Sequence, residues 1–221
     1  LFRSCHFGPN TFNEIEWGEH YGDKKPSEIF TLKQDFDAET LVKTLKDAGF
    51  KKLIVTAKHH DGFCIWDSEH TEYDVAASGY KDANGQSDIL AEISKACTDQ
   101  NMDMGLYLSP WDIHDESYGY YDENHKPTDK EHDHLDYNEY YDNQLKEILG
   151  NEKYGNKGHF VEVWMDGAKG NGANAQEYDF KRWFNTIQEN EGIKAGYDAD
   201  CMLFGAEAYT TVRWIGNELG I

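Results

Sequence analysis

Lys52-Leu53-Ile54-Val55-Thr56-Ala57 runs directly into Lys58-His59-His60-Asp61-Gly62-Phe63-Cys64-Ile65-Trp66. The first part is a near-continuous apolar run, the pattern of a strand covered on both faces. The second part sets a lysine, two histidines and an aspartate at the strand's C-terminal exit. Upstream, Asp37 is placed to cap a helix over 38–48, with Leu41, Val42, Leu45 and Ala48 on one face and Gly49 as its stop. Downstream, Ser87 is placed to cap a helix carrying Ile89, Leu90, Ile93 and Cys97 inward. A third strand is expected over Met104–Leu108. A helix stripe follows at Tyr141, Leu145, Ile148 and Leu149, closed by Gly150. The next strand is expected over Phe160–Trp164. It precedes a helix stripe at Phe180, Trp183, Phe184 and Ile187 that ends at Gly192. A short strand over 2–7 opens the chain, and weaker strand signals fall at 201–205 and 211–215.

Strands alternating with helices predict a parallel sheet. The expected fold class is α/β, a (β/α)8-like (TIM) barrel with long loops, and a doubly wound open sheet is the alternative. A complete eight-fold barrel takes about 250 residues. The 221 residues are therefore expected to form one barrel catalytic domain over 1–221, truncated at both ends. The chain opens on Leu1-Phe2-Arg3-Ser4, so no targeting segment can be read.

Composition narrows the function. Lys plus Arg is 21 and Asp plus Glu is 42, a formal charge of −21, which speaks against a surface that tracks phosphates or anionic lipid. No apolar run approaches the roughly 20 residues of a membrane helix. Aromatic residues make up 14% of the chain, unlike an acidic disordered segment. Cys5, Cys64, Cys97 and Cys201 stand far apart without a CxxC pair, so free buried thiols are expected rather than a zinc ribbon.

In a (β/α) barrel the chemistry gathers at the C-terminal ends of the strands. Those ends supply His6, then Lys58-His59-His60-Asp61-Gly62, then Tyr107 and Ser109-Pro110-Trp111-Asp112, then Trp164-Met165-Asp166-Gly167, and last Arg213-Trp214 with Asn217-Glu218. Asp166 is either a carboxylate fixed for nucleophilic attack or a plain cap or loop acid. Glycoside cleavage needs a second carboxyl group; Glu218, Glu207 and Glu16 are candidates, and spacing does not choose among them. Adjacent His59 and His60 point opposite ways unless the strand breaks there. With no HxH or HExxH motif, neutral imidazoles holding hydroxyl groups fit better than metal ligands. Trp17, Trp66, Trp111 and Trp164 are candidates to line a sugar cleft, or else core. The long connection 110–136 carries His114, His125, His132 and His134 among acids, as a metal site or a solvated acidic loop.

Four strings together resemble glycoside hydrolase family 29, the retaining α-L-fucosidases. They are His6-Phe7-Gly8, Thr56 through Trp66, Gly105 through Trp111, and Val163-Trp164-Met165-Asp166-Gly167-Ala168. Ser109-Pro110-Trp111-Asp112 and Val212 through Glu218 resemble the branch acting on α-1,3/1,4-linked fucose. The resemblance implies a barrel, often followed by a β-sandwich that is expected to be absent here, and hydrolysis through a covalent fucosyl-enzyme. It matches Asp166 to the nucleophile and Glu218 to the acid/base. His6, His59, His60, Tyr107 and Trp164 match fucose-contacting positions, as do Glu16, Trp17 and Arg213. It implies no cofactor and no metal, a fucosylated oligosaccharide or glycoconjugate as partner, no nucleic acid and no membrane insertion, and a secreted or cell-surface location. The oligomeric state is not legible. A metal-dependent barrel hydrolase using His6, His59, His60 and Asp166 stays open, as does a non-catalytic glycan-binding barrel.

Overall fold

The computed structural model describes residues 2–16, 21–32, 36–167, 169–170, 175–191, 201–205 and 210–213. Its sheet holds β1 (Phe2–Cys5), β2 (Lys52–Lys58), β3 (Asp103–Leu108), β4 (Glu162–Trp164), β5 (Met202–Gly205) and β6 (Val212–Arg213). Every neighbouring pair is parallel, and spatial order follows chain order without reversal. A doubly wound sheet reverses its order at a switch point. This one does not, and it has the strand succession of a (β/α) barrel.

Four longer helices are α3 (Ala38–Asp47), α4 (Ile89–Asp99), α5 (Tyr137–Ile148) and α6 (Phe180–Glu191). The short helices α1 (Asn10–Asn13) and α2 (Pro26–Ile29) lie between β1 and α3. Asp37 caps α3 as expected, its carboxylate accepting from Thr40 N at 2.8 Å. Asp88, not Ser87, caps α4: its carboxylate accepts from Ala91 N at 2.8 Å. The Ser87 hydroxyl is turned away and donates to the Tyr80 carbonyl at 2.6 Å. Gly150 follows α5 at φ +72°, a left-handed conformation that glycine adopts without strain.

Two strands are shorter than the sequence suggests. β1 stops at Cys5, where its pairing with Val55 ends and the chain turns toward α1. β4 begins at Glu162 because Phe160 precedes the ladder, its N–H held by the Glu191 carboxylate at 3.0 Å. Leu53, Val55 and Ala57 join Val42, Ile93 and Cys97 in one buried core. None of the four cysteines is in a disulfide; Cys64, Cys97 and Cys201 are buried and Cys5 is half-buried. Among the described residues no helix is long and apolar enough to cross a membrane.

Candidate active site

The register of β2 against β3 slips between Thr56 and Lys58, which pair with the consecutive residues Tyr107 and Leu108. A bulge of this kind re-aims the side chains beyond it. Without it, Thr56 and Lys58 would point to the same face. Instead the Thr56 hydroxyl lies 3.2 Å from His6 Nδ1, while the Lys58 ammonium reaches Gln144 on α5 at 2.8 Å. The strand ends there, and His59 and His60 stack on each other with centroids 4.2 Å apart. The strand break brings the adjacent histidines together.

Around His59 the strand ends converge. His6, following β1, sits 5.6 Å from the His59 ring, and Tyr107 on β3 stacks on it at 5.8 Å. His6 meets Tyr107 at 5.4 Å and Trp164 at 6.4 Å, and Trp164 lies edge-on to Tyr107 at 4.8 Å. The Tyr107 hydroxyl donates to Asp166 Oδ2 at 2.9 Å. So His6, His59, His60, Tyr107, Trp164 and Asp166, singled out from four strand ends, form one cluster.

The electrostatics follow from this crowding. Burial, then the Asp166 charge, pushes the Tyr107 phenol far above its ordinary value, so it stays a donor to the carboxylate. Burial depresses His59 to about 3, with His60 and His6 adding to the effect and Asp166 opposing it. His6 and His60 are lowered as well, mainly by burial and against the pull of Asp166. All three imidazoles are therefore neutral at neutral pH. Ser109 fixes the tautomer of one of them. Its single hydroxyl hydrogen goes to the Trp111 carbonyl at 2.7 Å, so at 2.7 Å from His60 Nδ1 it can only accept. His60 thus carries its proton on Nδ1, and Nε2 is the acceptor. His59 Nδ1 is buried without a hydrogen-bond partner.

A cavity of about 210 Å³ opens beside the cluster, its wall including His6, Asn10, Glu16, Thr56, His59 and Asp61. Glu16 is exposed at its rim. Asp61 is buried, accepts from Asn10 Nδ2 at 2.8 Å and from Phe63 N at 2.9 Å, and is pushed up to about 6, burial outweighing those hydrogen bonds. The sequence places Asp61 and Ser109 at strand exits but gives neither a role; only contacts from distant segments reveal them. Arg213 ends β6, its backbone paired with Gly205, and its side chain lies outside the description. Trp17 and Glu218, like Glu207, lie outside the described residues.

Trp66 is not a cleft residue. It is fully buried, and its indole N–H donates to Glu147 at 2.8 Å. Half-buried Trp111 lies 5.0 Å from the His60 ring. In the long connection, His114 stacks on Tyr73, His125 stacks on Tyr121, and exposed His132 pairs with Asp129. Among the described residues no group of three or more His, Cys, Asp or Glu side chains could hold a metal ion.

A carboxylate at a barrel strand end, held by a phenol and ringed by neutral imidazoles and an indole edge, is the equipment of a carbohydrate-active (β/α) barrel. It offers one charged oxygen pair to an electrophilic carbon, and hydrogen-bonding and apolar surfaces to a hydroxylated ring. The family model for alpha-L-fucosidase matches residues 6–205. The chain is 42% identical to alpha-L-fucosidase 1 of Arabidopsis thaliana, over 98% of its own length and 36% of that protein's. It superposes on a Ruminococcus gnavus GH29 fucosidase in complex with fucose at a TM-score of 0.94 and 85% identity, covering 100% of this chain and 44% of that one. The structure named SpGH29 gives a TM-score of 0.81 at 46% identity over 97% of this chain and 42% of its own. The chain belongs to the α-L-fucosidase family, glycoside hydrolase family 29. It spans between a third and a half of the length of these relatives.

Proposed function

We propose that the protein hydrolyses terminal α-linked L-fucose from glycans with retention of configuration, and that its preferred linkage is α-1,3/1,4. The observation that carries the reading is the Asp166 carboxylate, held by Tyr107 amid neutral His6, His59 and His60. A likeness at 85% identity to a fucosidase solved with fucose supports the sugar. The Ser109–Asp112 and Val212–Glu218 strings support the linkage.

In the first step an Asp166 oxygen forms a bond to the anomeric carbon as the glycosidic C–O bond breaks, and Glu218 gives its proton to the departing oxygen. In the second step water attacks the same carbon, Glu218 takes the water's proton, and Asp166 leaves as carboxylate. His6, His59, His60, Tyr107 and Trp164 hold the sugar, with Glu16, Trp17 and Arg213 completing the contacts. Hydrogen bonds from a preorganised, neutral set tighten as the ring gains oxocarbenium character. The protein acts as a secreted or cell-surface enzyme on a fucosylated oligosaccharide or glycoconjugate.

The test is hydrolysis of an aryl α-L-fucoside by the intact protein, with the first-formed anomer followed by NMR. α-L-Fucose is expected first. Asp166→Ala should lose turnover by several orders of magnitude, and azide should restore it as an external nucleophile giving the β-fucosyl azide. An Asp166→Ala protein with near-normal kcat, or β-L-fucose as first product, would overturn the reading.

A further inference from the structure

The fold buries one ion pair completely behind the site. Lys58 Nζ lies 3.0 Å from Asp112 Oδ2, with side-chain exposures of 0% and 1%. A buried pair is costly unless each partner's remaining hydrogen bonds are met. Here they are. The ammonium also donates to Gln144 Oε1 at 2.8 Å and stands 5.3 Å from the rings of Tyr140 and Tyr141. Asp112 Oδ1 accepts from His114 N at 3.0 Å and Asp115 N at 2.9 Å. The backbone makes room for this: Gly62 sits at φ +80°, and a Cβ there would collide with the Asp112 carboxylate and come within 3.0 Å of His114 Cβ.

What the pair holds is the loop that grips His60. Ser109 Oγ takes His60 Nδ1–H at 2.7 Å, and Ile113 N donates to the His60 carbonyl at 2.9 Å. Ser109 N also donates to the Lys58 carbonyl at 3.0 Å. A closed ring results: Lys58 to His60 along the chain, His60 to Ser109 and Ile113 across space, and Asp112 between them back to Lys58. Replacing a buried pair by neutral side chains often leaves stability unchanged, so stability does not account for it.

We propose that the Lys58–Asp112 pair is a positioning element that fixes the orientation and tautomer of His60 through the loop from Ser109 to Asp115. The proposal rests on the reading of His60 as a residue that holds the sugar. Lys58 and Asp112 do not touch substrate; they act through His60. The neutral replacement Lys58→Met/Asp112→Asn keeps an oxygen for the two backbone N–H groups and removes both charges.

The experiment uses the intact protein and reads two quantities. On an aryl α-L-fucoside, the replacement should lower kcat/KM by ~10–100-fold, the scale of a small misplacement at a site. In a His60→Ala background it should cost less than about twofold more, since contacting residues are non-additive. In ¹⁵N-histidine NMR, wild-type His60 should show a neutral ring protonated on Nδ1, and the replacement should lose that single signature. Equal losses of activity with and without His60, or an unchanged His60 signature, would overturn the proposal. If the replacement does not fold, Gln144→Leu withdraws one acceptor while leaving both charges paired. It should blur the His60 signature in the same sense, and an unchanged spectrum again overturns the idea. A wild-type protein without fucoside turnover would sink the functional reading instead, while the NMR comparison still decides this one.

Discussion

His59 makes the native state resist protons, and the effect can be measured without any substrate. The ring is held near 3, against about 6.5 for a histidine in an unfolded chain. Below 6.5 the unfolded state takes up a proton that the native state refuses, so stability is lost as pH falls from 6.5 toward 3. Over the whole window the loss is about 5 kcal/mol at most; between pH 7 and pH 5 it is about 2 kcal/mol. His59→Gln keeps a neutral polar side chain and removes the titration. Urea unfolding of both proteins at pH 7 and pH 5 isolates the effect as a difference of differences. Asp61, which titrates in the same range with the opposite sign, cancels from it. The wild type should lose about 2 kcal/mol more than the variant on going to pH 5. Equal losses would refute the claim that burial and the neighbouring rings keep His59 neutral.

The remaining predictions concern other groups. Tyr107→Phe removes a hydrogen bond to a charged oxygen, a contact of about 1.5–3 kcal/mol; kcat/KM for an aryl fucoside should fall by ~10–150-fold, and an unchanged value would detach Tyr107 from Asp166. Asp61 is raised to about 6 from an unfolded value near 3.8, so its burial costs stability that grows as pH rises from about 4 to 6. Asp61→Asn should therefore gain stability relative to the wild type by up to about 3 kcal/mol on going from pH 4 to pH 6, read from denaturation midpoints; a difference between the two proteins that stays constant across that window would contradict it. Glu218→Ala should spare an aryl fucoside with a good leaving group and slow a natural disaccharide by ~10²–10⁴-fold; equal damage to both would assign Glu218 a binding role and bring Glu207 forward.

The strand ends that build the site are legible because Leu53–Ala57, Met104–Leu108 and Phe160–Trp164 are mostly apolar runs, and His6 closes a short strand signal that is not. His6, His59, Tyr107, Trp164 and Asp166 can be assigned to one face before any coordinates exist. What is hidden is whatever depends on counting within those runs. Leu53-Ile54-Val55-Thr56-Ala57 is covered on both faces, so its alternation carries no mark of inside or outside, and the slip after Thr56 leaves no trace. Ser87 and Asp88 are adjacent residues of equal capping aptitude, and only the Tyr80 carbonyl, brought back by the turn that precedes them, decides between them. Helices α1 and α2 have four residues each, too few for a helical period to show. Trp66 lies among functional residues in sequence, yet its indole is claimed by Glu147 on α5.

The slip in β2 also sets how this segment can change length. Side chains on a strand alternate, so one residue more or less reverses every position beyond it. The bulge is the single extra residue that lets one short string serve two clients, an ammonium for the helical layer and imidazoles for the mouth of the sheet. Straightening the strand with Ala57 kept in the ladder would put Lys58 on the face of Thr56, sending a cation where the neutral rings belong. Substitutions here are tolerated or not one side chain at a time. Insertions and deletions move lysine and histidines together, so the segment from Thr56 to Gly62 can vary in composition far more readily than in length.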